Sequence, residues 1–207
     1  MPLAPASRDS AVAWASATLP TTQTLIRFRW RYQDERVKYA GRGTARIAPP
    51  DSLRFDYVGP LGFGSGAAVV IGDSVAWADP AKNFRSLVPA IPMLWAAFSM
   101  VRPPASDAVV LGARLADSTS PRRHVVWRFA QPEDTLDYVV TDSAGRESVL
   151  EAEWRRRGEM VARSRSQLDT MAHARVDFPE ASARFELTVV AVDTAAVIPP
   201  ALWRSRR

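Results

Sequence analysis

The chain contains no cysteine, so neither a disulfide framework nor a thiolate zinc site can form within it. Histidine is also scarce and occurs only at His124 and His173. Each histidine is flanked by residues typical of strands, and no third type of metal ligand clusters near either of them. We therefore expect both on solvent-facing sides of strands and predict neither a metal site nor a cofactor.

Long apolar runs are missing as well. The most apolar segment, Leu87–Val101, is shorter than the ~20 residues that span a bilayer, and Pro89 and Pro92 interrupt it. It is therefore not predicted to be a transmembrane helix. Residues 1–20 lack the basic start, continuous apolar core and cleavage site of a signal peptide. Either the protein is cytosolic, or a targeting segment has been removed from this chain.

Lysine is nearly absent, and arginine supplies most of the formal net charge of +5. Such an excess favours anionic partners, for example a membrane surface or nucleic acid. The arginines alternate with apolar residues along strands, however, which is the pattern of a solvent-facing side of a sheet. No compact basic run with interleaved aromatic residues is present, so nucleic-acid binding is not predicted.

Alternation of apolar and polar residues is the dominant pattern in the 207 residues. We predict a mainly β (α+β) fold in which residues 1–20 form a tether and a short helix, and residues 21–207 form one domain. The short helix is predicted at Ser10–Ala17, with Asp9 or Ser10 as N-cap. The predicted strands, about eleven or twelve in number, are Thr24–Gln33, Val37–Ile47, Leu53–Gly59, Ala67–Gly72, Ser74–Ala78, Ala108–Leu115, His124–Phe129, Thr135–Thr141, Ser148–Arg155, Met160–Leu168, Ala172–Phe178 and Ala183–Val192. Glycines at 41 and 43 predict a bulge or bend in the second of these.

One apolar segment, Asp79–Val101, interrupts the strands and is predicted to be a helix broken near its internal prolines. Asp79 is its expected N-cap and Pro80 its first residue. A few helices, each ~10 Å across, cannot cover a flat sheet of this many strands, which would be about 50 Å wide. We therefore expect one curved antiparallel sheet whose apolar face lines a concavity partly filled by this helical lid. An apolar concavity is a ligand site by default, and a filled barrel core without a ligand is the alternative.

A glycine-rich connection, Gly59–Gly66, carries two large apolar residues, Leu61 and Phe63, and no charge. Its glycines provide no side-chain packing of their own, so we expect the two side chains at an exposed loop tip. An exposed apolar pair on a soluble domain indicates contact with a membrane or a partner.

Four segments follow one another along the chain: the Trp30 strand, Gly41-Arg42-Gly43, Gly59-Pro60-Leu61-Gly62 and Ile91-Pro92-Met93-Leu94-Trp95. In these segments, and in the order of elements over most of the chain, the sequence resembles the LolA/LolB-like lipoprotein-binding superfamily, in particular the outer-membrane lipoprotein receptor LolB and its relatives. The resemblance implies a half-open β-barrel of about eleven strands, closed by helices. It also implies a cavity for the acyl chains of lipoproteins or other lipids, received from a LolA-like carrier. Leu61 matches the family's solvent-projecting leucine.

Function follows from that resemblance as an expectation: binding acyl chains and helping to deliver them at the periplasmic face of the outer membrane in a bacterial envelope, as a monomer. The alternative is a non-catalytic structural domain of the envelope whose apolar loop docks on a protein partner. Aromatic and lid residues expected to line the cavity are Phe28, Trp30, Phe55, Tyr57, Trp127, Tyr138, Leu94, Trp95 and Phe98.

Catalytic patterns are weak. The glycine-rich connection precedes a strand, whereas a phosphate-binding loop opens a helix. Ser65 lacks the Gly-x-Ser-x-Gly spacing of a nucleophile elbow. Glu151 and Glu153 share one strand face, but nearby arginines predict ordinary ion pairs. We therefore predict that the protein is not an enzyme.

Overall fold

The computed structural model describes residues 3–60, 64–82, 90–104, 107–116, 122–143, 146–167 and 173–204. These residues contain thirteen strands and two short α-helices, α1 (Arg8–Ser16) and α2 (Ile91–Ala97). The strands are β1 (Ala4–Pro5), β2 (Thr24–Gln33), β3 (Lys38–Ala48), β4 (Ser52–Val58), β5 (Ser65–Ile71), β6 (Ser74–Asp79), β7 (Val109–Ala116), β8 (Arg122–Ala130), β9 (Asp134–Ser143), β10 (Arg146–Arg156), β11 (Glu159–Gln167), β12 (His173–Phe178) and β13 (Ala183–Asp193). No helix among these residues is long and apolar enough to cross a membrane.

All thirteen strands belong to one antiparallel sheet in the order β1-β7-β8-β9-β10-β11-β12-β13-β2-β3-β4-β5-β6. The single antiparallel sheet is confirmed, and each of the twelve predicted segments is a strand. The predicted count of about eleven is wrong, because those twelve segments are joined by β1, which pairs with β7. The sheet is not closed, since β1 and β6 are its two edges, and in this respect it differs from the expected half-open β-barrel.

The sheet is strongly curled, as the hydrogen bonds of Arg102 to two distant parts of it show. Its carbonyl accepts a hydrogen bond from Tyr138 of β9, and its guanidinium donates one to the Pro50 carbonyl, between β3 and β4. β9 and β3 are six strand spacings apart in the sheet, roughly 30 Å if the sheet were flat. One arginine cannot span that distance, so the sheet must curve around the segment that contains it.

The concave face carries the core, as the alternation predicts. Strand β2 buries Ile26, Phe28 and Trp30 and exposes the arginines between them. The expected bulge at the β3 glycines is wrong, because the β2–β3 register runs without a shift. The glycines instead make room for aromatic rings: a Cβ at Gly43 would lie against the Phe28 ring and 2.6 Å from the Asp56 carbonyl oxygen.

Both helices differ from prediction in their bounds. Helix α1 begins at Arg8, and its N-cap is Ser7, whose hydroxyl accepts from the Ser10 backbone N–H, rather than Asp9 or Ser10. Asp79 is the last residue of β6, and helical residues begin only at Ala81. Residues 83–89 lie outside the described residues, so the predicted break there is not described.

The position of α2 also departs from the expected lid. Met93, Leu94, Trp95, Ala96 and Ala97 are all at most 1% exposed, so the helix is an interior element and not a cover on the surface. An apolar sequence on every side of the helix explains this, because no face of it gains from contact with water.

The convex face is polar and dense in ion pairs. Asp177 of β12 pairs with Arg175 of the same strand, with Arg163 of β11 and with Arg184 of β13. Partial burial by itself raises the pKa of Asp177, but hydrogen bonds from Arg175 and Arg184 outweigh it and the net shift is downward. Part of the positive charge of the arginines is thus neutralised by carboxylates on the same convex face of the sheet.

Candidate ligand-binding site

A first group of aromatic residues fills the concave face over β2 and β4. The rings of Phe28 and Phe55 stack with centroids 5.2 Å apart, and Phe98, just after α2, meets Phe28 edge-on at 5.6 Å. Trp30 and Tyr57 meet edge-on at 6.0 Å. These five predicted residues are therefore brought together, and each is nearly completely buried.

A second aromatic group lies under α1. Trp14 of this helix contacts Trp127 of β8 at 5.9 Å and Tyr138 of β9 at 6.5 Å between centroids. Tyr138 is completely buried, and burial raises the pKa of its phenol. Trp14 is a member of the site that the sequence analysis missed. The spacing of Ala11, Trp14 and Ala15 places them on one face of α1, and this pattern could have predicted that Trp14 faces the interior.

Helix α2 carries the remaining two predicted residues, Leu94 and Trp95, and lies between the concave surfaces of the sheet. It packs most closely on β10, β11 and β12. These strands meet the helix with small residues that permit its close approach, namely Ala152, Ala162, Ser164, Ser166 and Ala174, all buried. This patch was not predicted, because only aromatic residues of the apolar face were expected to line the interior.

Among the described residues, side-chain hydrogen bonds of Trp95 and Ser99 join α2 and the turn that follows it to the sheet. Trp95 donates its indole N–H to the Gly72 carbonyl at 2.9 Å. The Ser99 hydroxyl lies 3.0 Å from the Gln167 carbonyl and 3.2 Å from the Ser166 hydroxyl. All of these groups are neutral. The attachment is therefore mainly apolar packing, supplemented by hydrogen bonds of ordinary strength.

Two cavities adjoin this interior at the end of the sheet where α2 begins. The first, of about 370 Å³, has mostly apolar walls that include Ile91, Phe129, Leu136 and Trp154, together with the polar residues Asp73, Gln131 and Asp134. The second, of about 320 Å³, lies between α1 and residues 101–104. Both contain Asp73 and Pro104 in their walls, so the cavities are neighbours.

The nine predicted cavity residues all lie on the concave face or in the segment that fills it. Eight are buried, and Trp127 is partly buried. They pack against one another and against α2, and none is among the described residues lining either cavity. Their role in ligand binding stays a prediction.

Leu61 and Phe63, the predicted membrane-contacting pair, lie outside the described residues. The ends of their loop are described: the Gly59 N–H donates to the Gly64 carbonyl at 2.7 Å. The connection therefore leaves and re-enters the sheet at one point, between β4 and β5.

Among the polar residues considered as catalytic groups or metal ligands, Glu151, Glu153 and His124 form ion pairs or hydrogen bonds with neighbouring side chains. Glu151 pairs with Arg165 at 2.6 Å and Glu153 with Arg155 at 2.8 Å, which confirms the expected ion pairs. His124 contacts the Thr141 hydroxyl at 3.0 Å. Within the described ranges, no group of three potential ligands could hold a metal ion.

No protein-family model and no curated protein matches this sequence. Among solved structures, the chain resembles a LolA superfamily protein from Nitrosomonas europaea, with a TM-score of 0.62 and 11% identity over 97% of this chain and 98% of the other. It also resembles a Vibrio parahaemolyticus domain named for outer membrane lipoprotein sorting, with a TM-score of 0.59 and 8% identity over 94% and 97% of the two chains. At these identities the likeness is one of fold alone.

Proposed function

We propose that this protein binds acyl chains of lipoproteins or other lipids on its concave face and helps to deliver them to the outer membrane, in the manner of LolB. The observation that carries the proposal is the curled apolar face wrapped around a helix that is itself apolar on all sides. An apolar cavity of about 370 Å³ beside that helix provides the point of entry. The name of the similar Vibrio parahaemolyticus domain, outer membrane lipoprotein sorting, supports the same class of cargo.

Binding proceeds by exchange, because the aromatic residues expected to line the cavity are already in contact with one another and with α2. An acyl chain that enters beside Ile91 and Trp154 displaces α2 from the small residues of β10, β11 and β12. The neutral hydrogen bonds at Trp95 and Ser99 set a modest barrier to this movement. No chemical step is involved, and the protein acts as a binding module and not as an enzyme.

The test is direct binding. Delipidated protein is titrated with a fluorescent long-chain fatty acid, and an organic extract of freshly purified protein is examined by mass spectrometry. We expect saturable binding at micromolar concentration and co-purified lipid in the extract. Absence of both would contradict the proposal.

Delivery of cargo also requires contact with a membrane, and the connection between β4 and β5 is the candidate for this contact. We propose that Leu61 and Phe63 contact the periplasmic face of the outer membrane, and that a LolA-like carrier supplies the cargo to this protein, which acts as a monomer. Burial of two large apolar side chains contributes on the order of 3–5 kcal/mol, which allows transient docking but not permanent anchoring.

The variant Leu61→Glu tests this role. We expect weaker association with liposomes and slower transfer of cargo to them, with folding and fatty-acid binding nearly unchanged. Val197→Glu is a matched control, since Val197 is an exposed apolar residue, 89% accessible, elsewhere on the chain. A drop of several degrees in melting temperature for Leu61→Glu, without any specific loss of liposome binding, would indicate a leucine buried in the core instead.

The packed interior favours a second candidate function, a structural domain of the envelope whose apolar loop docks on a protein. In that case the contacts among Phe28, Phe55 and Phe98 are a finished core. The two candidates differ in one measurable respect: a structural domain neither binds the fluorescent fatty acid nor carries lipid through purification.

A further inference from the structure

Two arginines, Arg8 of α1 and Arg102, line the second cavity. Each guanidinium has one described protein acceptor, and in both cases it is a neutral carbonyl. Arg8 Nη2 donates to Pro104 at 2.7 Å, and Arg102 Nη1 donates to Pro50 at 3.1 Å. The Arg102 guanidinium also lies over the Trp95 ring, 5.4 Å from its centroid.

Both side chains retain a buried donor without an acceptor among the described residues: Nη1 of Arg8 and Nε of Arg102. Neither arginine forms an ion pair with a described carboxylate, although the described residues contain ten such pairs elsewhere. Arg54 shows the contrast, because it is almost fully buried and forms a pair with Asp56 at 2.6 Å. A partly buried cation without a counter-ion is costly, and an anion in the cavity removes that cost.

Asp73 is the one acidic residue among the described walls of this cavity. It is exposed, accepts a hydrogen bond from the Ser74 hydroxyl, and is not paired with either arginine. Two cations therefore face one carboxylate, and the local charge remains positive. The apolar cavity next to it shares Asp73 and Pro104. A basic cavity and an apolar cavity thus lie side by side at the entrance to the interior.

We propose that these two cavities together bind an amphiphile with an anionic head. The carboxylate or phosphate head lies between Arg8 and Arg102, and the acyl tail enters the interior through the apolar cavity walled by Phe129, Leu136 and Trp154. The proposal rests on the acyl-binding function proposed above and narrows its cargo to molecules with a negative charge close to the chain. The head supplies acceptors for Nη1 of Arg8 and Nε of Arg102, the two donors that have none among the described residues.

The experiment compares three ligands with the same sixteen-carbon chain, each used below its critical micelle concentration: palmitate, 1-palmitoyl-glycerol 3-phosphate and uncharged 1-palmitoylglycerol. Affinities are measured by displacement of a fluorescent fatty acid from the delipidated full chain. We expect both anionic ligands, or one of them, to bind about tenfold or more tightly than the uncharged one. Preference for palmitate identifies a carboxylate head, and preference for the phosphate identifies a phospholipid-like head.

The variants Arg8→Gln and Arg102→Gln should each reduce anionic affinity about tenfold and leave 1-palmitoylglycerol unchanged. Arg29→Gln is the control, because Arg29 is an exposed arginine of the convex face. Arg8 lies at the start of a surface helix, so its variant provides the test even if Arg102→Gln is poorly folded. Equal affinity for all three ligands overturns the anionic head and leaves acyl binding intact, whereas no binding of any ligand overturns both proposals. Equal losses for charged and uncharged ligands in Arg8→Gln also overturn the role of the guanidinium.

Discussion

Replacing Ser99 by alanine should loosen α2 and thereby strengthen ligand binding while it weakens the fold. Ser99 follows the helix by two residues, and its hydroxyl connects this segment to β11 through the Gln167 carbonyl at 3.0 Å and the Ser166 hydroxyl at 3.2 Å. If an acyl chain enters by displacing α2, these contacts are present in the closed form and absent in the open form. Their loss therefore destabilises only the closed form.

The magnitude follows from the worth of one intramolecular hydrogen bond, about 1 kcal/mol. For a chain of this size, that loss lowers the melting temperature by roughly 2–4 °C. The same free energy no longer has to be supplied when the helix moves, so the open population rises by about fivefold and the apparent dissociation constant falls by up to the same factor. Stability and affinity should therefore change in opposite directions.

Ser148→Ala is the matched control. Its hydroxyl donates to Asp142 at 3.1 Å on an exposed part of the sheet, so this variant also removes one hydrogen bond but does not contact α2. Thermal unfolding followed by circular dichroism gives the stability, and titration with fluorescent fatty acid gives the affinity. A Ser99→Ala variant that is less stable but binds with unchanged or lower affinity would refute displacement of α2 as the route of entry.

Three further predictions concern the sheet itself. Gly43→Ala should lower the melting temperature by many degrees, because the new Cβ would lie against the Phe28 ring and 2.6 Å from a backbone oxygen that cannot move without disturbing β4. Arg54→Met should cost about 1.5–3 kcal/mol in urea unfolding, since Asp56 then loses its most buried partner but keeps its ion pair with Arg46. The depressed pKa of Asp177 contributes stability that is present above its unfolded pKa of about 4 and is lost as pH falls through the lower folded value. Asp177→Asn should flatten the loss of stability on acidification below about pH 4.

The alternating strands could be predicted because their periodicity reports directly which side is buried. In β2, the side chains of Phe28 and Trp30 point to the core and those of Arg27 and Arg29 to solvent, as their order in the sequence indicates. Strand β1 could not be predicted, since the two residues Ala4 and Pro5 are too few to show a period.

The arrangement inside the sheet was less accessible to sequence analysis. The apolar character of α2 predicted burial, but not whether the helix covers the concavity or fills it. That outcome depends on the small residues of β10–β12, because their short side chains leave space for the helix. Arg8 and Arg102 line the same cavity although they are 94 positions apart in the chain, a proximity that no local pattern contains.

An interior filled by α2 is compatible with a carrier if burying an acyl chain releases about as much free energy as exposing α2 costs. Full burial of a sixteen-carbon chain is worth on the order of 10 kcal/mol at about 0.8 kcal/mol per methylene. Exposing Met93, Leu94 and Trp95 together with the two alanines of α2 costs a similar amount, at about 1.5–3 kcal/mol for each large side chain. The exchange is then nearly balanced, so that contacts with the head group, worth only a few kcal/mol, decide whether cargo is held. A carrier that must release what it binds requires this balance, whereas an empty apolar cavity would retain its cargo.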